Sequence, residues 1–222
     1  LDGDGKSDLA VANAGSRNVS IFHNASSPGT ISFVGKVDFT NGSNRPSSIA
    51  IGDLDLDGKA DIAVANFEGN AVSVFRNTSS IGTINYAAKL DFIVEASIYR
   101  SISICDLDND GKADLAALNS GGNSVSIFRN TGSVGTINFA DKVDLMTGIN
   151  STPWSICIGD LDGDHKTDLA VSNKNSNSVS VFRNTSSVSG ISFAGKEDFS
   201  TGTEPYSISI GDLDGDGKAD IA

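Results

Sequence analysis

The 222 residues carry 28 acidic against 16 basic side chains, a formal charge of −12, and are 38% hydrophobic. That hydrophobic share argues for a folded chain rather than a disordered one. The lack of any apolar run of 18 residues excludes a membrane-spanning helix. The acidic balance disfavours nucleic acid and anionic membranes as partners.

In chain order, the sequence opens inside a motif, LDGDGKSD at 1–8, so the natural protein is expected to continue beyond both ends. The same motif returns within 48–66, 101–119 and 155–173 and again at 207–222. Taking its second loop aspartate as marker gives Asp2, Asp55, Asp108, Asp162 and Asp214, spaced 53, 53, 54 and 52 residues apart. A fixed period of this length is the signature of a repeat architecture. The units run approximately over 1–46, 47–98, 99–152 and 153–204, with a partial unit over 205–222.

Within one period the pattern is β. Ser48–Gly52 alternates small and large residues, and Asp61–Asn66 sets Ile62 and Val64 against Ala63 and Ala65. Val72–Arg76 and Ile84–Phe92 give two more extended runs, separated by turns at Phe67–Asn70 and at 79–83. Alternation of period two with β-branched residues predicts strands. The small face lets a neighbouring sheet pack closely. Four antiparallel strands (A to D) per period predict a β-propeller of four-stranded blades.

The acidity is local, since 19 of the 28 acids fall within the five loop copies. In the second copy, Asp53, Asp55 and Asp57 occupy positions 1, 3 and 5, Gly58 position 6, Lys59 position 7 and Asp61 position 9. Carboxylates at that spacing converge on one concavity when the backbone curls. The glycine permits the turn, and a set of hard oxygens suits Ca²⁺ better than Mg²⁺. Unpaired aspartates so close together would otherwise repel. Five bound Ca²⁺ would bring the charge of −12 near −2.

The expected ligands are Asp2, Asp4, Lys6 and Asp8; Asp53, Asp55, Asp57, Lys59 and Asp61; Asp106, Asp108, Asp110, Lys112 and Asp114; Asp160, Asp162, Asp164, Lys166 and Asp168; and Asp212, Asp214, Asp216, Lys218 and Asp220. Each lysine would serve through its backbone carbonyl. The first loop lacks position 1, and the fourth carries His165 at the glycine position, which predicts a weaker site. His165 and His23 read as turn and blade-surface residues. An EF-hand is rejected, because strands flank the loop and position 12 has no glutamate. Cys105 and Cys157 are expected to be buried free thiols.

The SIxIGDLDxDGKxDxAVAN pattern followed by NxVSVFRN resembles the FG-GAP (VCBS-type) repeat of integrin α-subunit propellers and many secreted bacterial proteins. The resemblance covers the whole chain. It implies that each Ca²⁺ loop joins inner strand A to strand B on the lower face of a blade, and that the protein is secreted or displayed at the cell surface. Family propellers usually close with more blades, so these periods read as part of a larger propeller. The alternative is a four-bladed ring closed by pairing strand A near Ile208–Gly211 with the sheet begun at Asp8–Asn13.

No GxSxG, HExxH or phosphate-loop pattern occurs, which argues against an enzyme. The reading is an adhesion or ligand-binding module, with a protein or glycan ligand on the face opposite the calcium loops. There Arg100, Trp154 and Tyr206 share one repeat position, with Ser47 in the remaining copy. Trp154 and Tyr206 serve equally well as plugs of the central channel. A passive spacer in a surface protein, or a non-catalytic propeller attached to a secreted carbohydrate-active enzyme, remain open.

Overall fold

The computed structural model describes residues 1–42, 44–93 and 98–222, and every regular element among them is a strand. Each period folds into an antiparallel meander. The first contributes β1 (Leu9–Asn13), β2 (Asn18–Asn24) and β3 (Phe33–Thr40). The second contributes β4 (Pro46–Gly52), β5 (Asp61–Asn66), β6 (Ala71–Phe75) and β7 (Leu90–Ile93). The third contributes β8 (Tyr99–Cys105), β9 (Asp114–Asn119), β10 (Ser124–Phe128) and β11 (Val143–Met146). The fourth is β12 (Pro153–Gly159), β13 (Asp168–Asn173), β14 (Ser178–Phe182) and β15 (Glu197–Ser200), and a hairpin of β16 (Ile210–Gly211) and β17 (Asp220–Ile221) follows.

Alternation decides how the blades stack. Ile62 and Val64 of β5 turn towards the first blade and join Val19, Ile21 and Phe75. Ala63 and Ala65 turn the other way and meet Ile102 and Leu115 of the third blade. Leu169 and Val171 of β13 likewise face back towards Leu118 and Ile127, while Ala170 faces Ile208. On β5 and β13 the large residues thus face the preceding blade and the small ones the following blade, which lets the next sheet approach closely. The inner strands obey the same rule. A Cβ on Gly52 would stand 2.8 Å from Ile104 Cγ2 of the next inner strand, and one on Gly159 would stand 3.0 Å from Ile210 Cγ2.

The third blade departs from the pattern in two compensating places. Ala117 stands where the other blades have Val64 and Val171, and Tyr99 stands where they have Pro46 and Pro153. The fully buried Tyr99 enters the core between the second and third blades beside Ala117, and its hydroxyl donates to Ser126 Oγ at 3.2 Å. A smaller residue on β9 is therefore matched by a larger one on β8.

Two sequence expectations are corrected. The extended run Ile84–Phe92 is not one strand, because β7 begins only at Leu90. Residues before it close a hairpin through the bridges Asn77–Tyr86 and Ser80–Thr83, and Tyr86 is spent as a core side chain against the first blade. Alternation alone does not separate a hairpin tip from a strand. The four-bladed ring does not form either: among the described residues β16 pairs with β17 and β1 with β2, leaving Leu9 and Val11 exposed. Each inner strand is satisfied by its own strand B, and the assembly is an open arc.

Candidate metal centre

Each of the last four aspartate loops connects an inner strand to the next strand of the same unit, the first leads into β1, and side chain-to-backbone bonds shape them. In the second loop Asp53 accepts from the Gly58 amide at 2.9 Å, Asp55 from Asp57 at 3.2 Å and Asp57 from Lys59 at 2.9 Å. The last loop repeats this, with Asp212 on Gly217 at 3.0 Å, Asp214 on Asp216 at 3.0 Å and Asp216 on Lys218 at 2.8 Å. At positions 3 and 5 such turns spend one carboxylate oxygen on the amide two residues on, whereas position 1 spends one oxygen at Asp53 and both at Asp106, Asp160 and Asp212.

Two positions of the loop require a left-handed backbone. At position 6, Gly58, Gly111 and Gly217 have φ of 83, 84 and 83°, and His165 is held at 64°. Position 4, which the sequence reading passed over, has the same need. Gly163 and Gly215 adopt φ of 80 and 81°, whereas Leu56 and Asn109 are forced to 60 and 57°. A left-handed conformation costs a non-glycine residue about 1–2 kcal/mol. Leu56→Gly is therefore expected to raise stability by about 1 kcal/mol after the unfolded-state entropy of glycine is counted, as read from urea melts.

Position 9 does more than close a shell. Asp61, Asp114 and Asp168 are at most 1% exposed. Asp61 takes the Leu54 amide at 2.9 Å on one oxygen and the Asn77 amide at 2.7 Å on the other. Asp114 does the same with Leu107 and Asn130, and Asp168 with Leu161 and Asn184. The carboxylate thus braces the start of its loop against the end of strand C. Burial pushes the Asp61 and Asp114 carboxyls up to about 6 against the pull of those amides. Their pKa is higher folded than unfolded, so the folded state holds protons longer. The calcium-free protein should accordingly gain stability as pH falls from about 7 towards 5. Urea melts in chelator at the two pH values check this.

The structure also recruits residues that the sequence reading placed elsewhere. Arg76 binds Asp55 through Nε and Asp57 at 3.4 Å, and Arg129 binds Asp108 at 2.6 Å and Asp110 at 3.0 Å. His23, at the equivalent position, lies 3.2 Å from Asp2 Oδ2 and 3.5 Å from Asp8 Oδ1. The two arginines neutralise their own loops, and His23 lies against its loop rather than decorating the blade surface. The signal was the basic residue ending strand C in every copy.

The next blade completes the first three loops. The Gly82 amide donates to Asp2 Oδ2 at 2.9 Å and the Gly135 amide to the Asp55 carbonyl at 2.8 Å, both from hairpin tips one blade further on. Asn130 Nδ2 reaches back to the Leu54 carbonyl at 2.8 Å while also binding Ala113 O at 2.9 Å. Asn77 and Asn184 repeat the staple on Leu1 and Leu107.

Ligand atoms of three groups fall within 4.8 Å of one another in all five copies. The sets are Asp2, Asp8 and His23; Asp53, Asp55 and Asp57; Asp106, Asp108 and Asp114; Asp160, Asp162 and Asp168; and Asp212, Asp214 and Asp216. The fit to a hard cation rests on one atom: Asp53 Oδ1 is buried with no hydrogen-bond partner. An unpaired buried carboxylate oxygen needs a cation or donor.

On the opposite face, Arg100, Trp154 and Tyr206 come together. Arg100 Cζ stands 3.9 Å from the Trp154 ring centre, and Trp154 meets Tyr206 edge-on at 4.9 Å. Ser47 instead donates to the Tyr99 carbonyl at 2.8 Å. Both cysteines are free and half-buried, and burial pushes their thiols up to about 12 for Cys105 and about 11 for Cys157.

A blade of four antiparallel strands whose inner hairpin is an aspartate loop defines a propeller of aspartate-loop repeats. The model of the FG-GAP-like repeat matches residues 1–64, 53–117, 106–171 and 164–222, and the chain belongs to this family. No curated protein matches it. Among solved structures it is similar to a protein from Lactobacillus plantarum (TM-score 0.59, 13% identity, 93% of this chain and 57% of the other). It is also similar to the Bacillus licheniformis rhamnogalacturonan lyase PL11 (TM-score 0.52, 15% identity, 92% of this chain and 48% of the other). The exotype rhamnogalacturonan lyase YesX gives TM-score 0.51 at 15% identity, over 92% of this chain and 46% of that one. At these identities the likeness is one of fold, and the chain spans about half the length of these proteins.

Proposed function

We propose that this chain is the calcium-holding segment of an extracellular β-propeller that carries a ligand on the face opposite its metal loops and performs no catalysis of its own. The observation that carries the calcium reading is the convergence of three ligand groups in every loop, with Asp53 Oδ1 left buried and unpaired. In the complete loops, positions 1, 3, 5 and 9 would supply carboxylate oxygens and position 7 its carbonyl. Oxygen sets of this kind in extracellular modules work at millimolar calcium, which supports a secreted or surface location. Among the described residues no helix is long and apolar enough to cross a membrane.

Calcium here would be structural. It would offset the repulsion among the loop carboxylates and fasten strand A to strand B. Calorimetric titration of the chelator-stripped chain, with elemental analysis, should find three strong sites and weaker ones at the first loop and at the fourth, which carries His165. No metal in the analysis and no heat of binding would overturn the reading. A second reading places the chain as a non-catalytic part of a carbohydrate-active enzyme. The two lyases among its structural neighbours favour it.

A further inference from the structure

The face opposite the aspartate loops carries a run of alternating cations and rings that the calcium loops do not explain. Arg45 Cζ lies 5.3 Å from the centre of Phe67, and Arg100 Cζ lies 4.9 Å from Phe67 and 3.9 Å from Trp154. Lys174 Nζ follows at 5.1 Å from Trp154 and 5.0 Å from Tyr206. The run crosses from the second blade to the final hairpin. Its central members are placed by β-bulges: strand pairing skips from Tyr99 to Ser101 and from Pro153 to Ser155, so Arg100 and Trp154 are the extra residues. A bulge re-aims a side chain out of the ladder, as is common beside binding sites.

The charges on this face are unevenly matched. Glu68 lies 3.3 Å from Arg17 and 3.9 Å from Arg45, and Glu204 lies 3.9 Å from Lys174. Arg100 has no carboxylate partner among the described residues, and its Nε is buried without a hydrogen-bond partner. Two flanking rings stabilise a guanidinium but accept none of its in-plane hydrogens, so an anion is missing. Next to it, Lys174, Asn175, Asn177, Thr203, Glu204 and Tyr206 line a shallow depression. Amides, a hydroxyl and a half-exposed phenol ring suit a polyhydroxylated ligand with apolar ring faces. The lining offers no aliphatic side chain of the kind a peptide anchor needs.

We propose that this face binds an acidic oligosaccharide, with a uronic-acid carboxylate on Arg100 and Lys174 and the sugar ring against Tyr206. This rests on the ligand-binding reading above and names its ligand class. The test is calorimetric titration of the calcium-loaded chain, at equal free calcium in cell and syringe, with a galacturonate hexamer. A neutral glucose hexamer and hexaglutamate serve as comparisons. The galacturonate hexamer should bind, more weakly as salt rises, and both comparisons should bind at least tenfold more weakly. Arg100→Gln should weaken binding roughly tenfold, the loss expected for a charge-assisted bond. Tyr206→Ala, at an exposed position, should weaken it similarly, and both variants should keep the parent's calcium-dependent melt.

Unchanged affinity in both variants would overturn the site. Equal binding of hexaglutamate would transfer the face to an acidic peptide, and equal binding of the glucose hexamer would remove the role of charge. No binding by the parent, with its melt still calcium-dependent, would sink this inference and leave the calcium reading standing.

Discussion

Excess chelator is expected to lower the melting midpoint by on the order of 20 °C relative to calcium held at a hundredfold excess over the Kd of its sites. A cation that binds only the folded state contributes about 2.7 kcal/mol per site at a hundredfold excess over its Kd. Four loops have all four aspartates, so the sum is roughly 10 kcal/mol, and each kcal/mol moves the midpoint of a protein of this size by about 2–4 °C. A scan with and without chelator reads the shift directly, and coincident midpoints would sink the calcium reading. Arg129 sharpens the test. Its guanidinium neutralises Asp108 and Asp110 in the calcium-free protein, where it stabilises the loop, but it also repels an incoming cation. Arg129→Ala should therefore lower the calcium-free midpoint and widen the shift that calcium produces.

The stapled loops also explain why the effect should reach beyond one blade. The Leu54 side chain lies in the core between the second and third blades, its amide is held by Asp61, and its carbonyl is held by Asn130 of the following blade. Ordering the second loop thus orders an interface, and the same wiring recurs through Leu107 and Asn184. Polar groups buried at such joints must be paired, and here the Leu54 and Leu107 carbonyls are paired across a blade boundary.

Much of this was legible in the sequence because it is local. The loop spacing, strand B at Asp61–Asn66 and the left-handed position of His165 follow from residues within ten of one another. What escaped involves residues a repeat or more apart, or a backbone need hidden by a variable residue. Asn130 and Leu54 are 76 residues apart, and only stacked blades bring them together. Position 4 is glycine in three loops but Leu56 and Asn109 in the others, which masked its left-handed φ. The polar chains across the blades were missed for a similar reason. Ser73 donates to Asp91 at 2.5 Å beside Lys89, and Ser126 to Asp144 at 2.6 Å beside Lys142. The lysine and aspartate recur two residues apart in each outer strand, but the serine lies on another strand, 18 residues away. Asn41, Asn77 and Asn184 each begin an Asn-X-Ser/Thr sequon but are at most 1% exposed, which closes them to modification in the folded protein.

Asp114→Ala should be the most damaging single change, and comparison with Asp110→Ala separates brace from ligand. Asp114 is fully buried and holds the amides of Leu107 at 2.9 Å and Asn130 at 2.7 Å. Its removal leaves two buried donors without acceptors, at about 1–3 kcal/mol each. Asn in its place would set an amide hydrogen against one of those donors and recover little. Asp110 supports only the Lys112 amide at 3.0 Å and the exposed side of Arg129. Asp110→Ala should therefore keep most of the calcium-free stability and lose the calcium-induced gain at that loop. Asp114→Ala should lose roughly 2–6 kcal/mol even in chelator, and the calcium-induced gain at that loop besides. Exposed Asp141, changed to Ala, should stay within about 0.5 kcal/mol of the parent. Urea melts of the three variants in both conditions decide the matter. If Asp114→Ala matched the parent in chelator and differed only in calcium, position 9 would be a ligand alone. The inter-blade brace would then have to reside in Asn130.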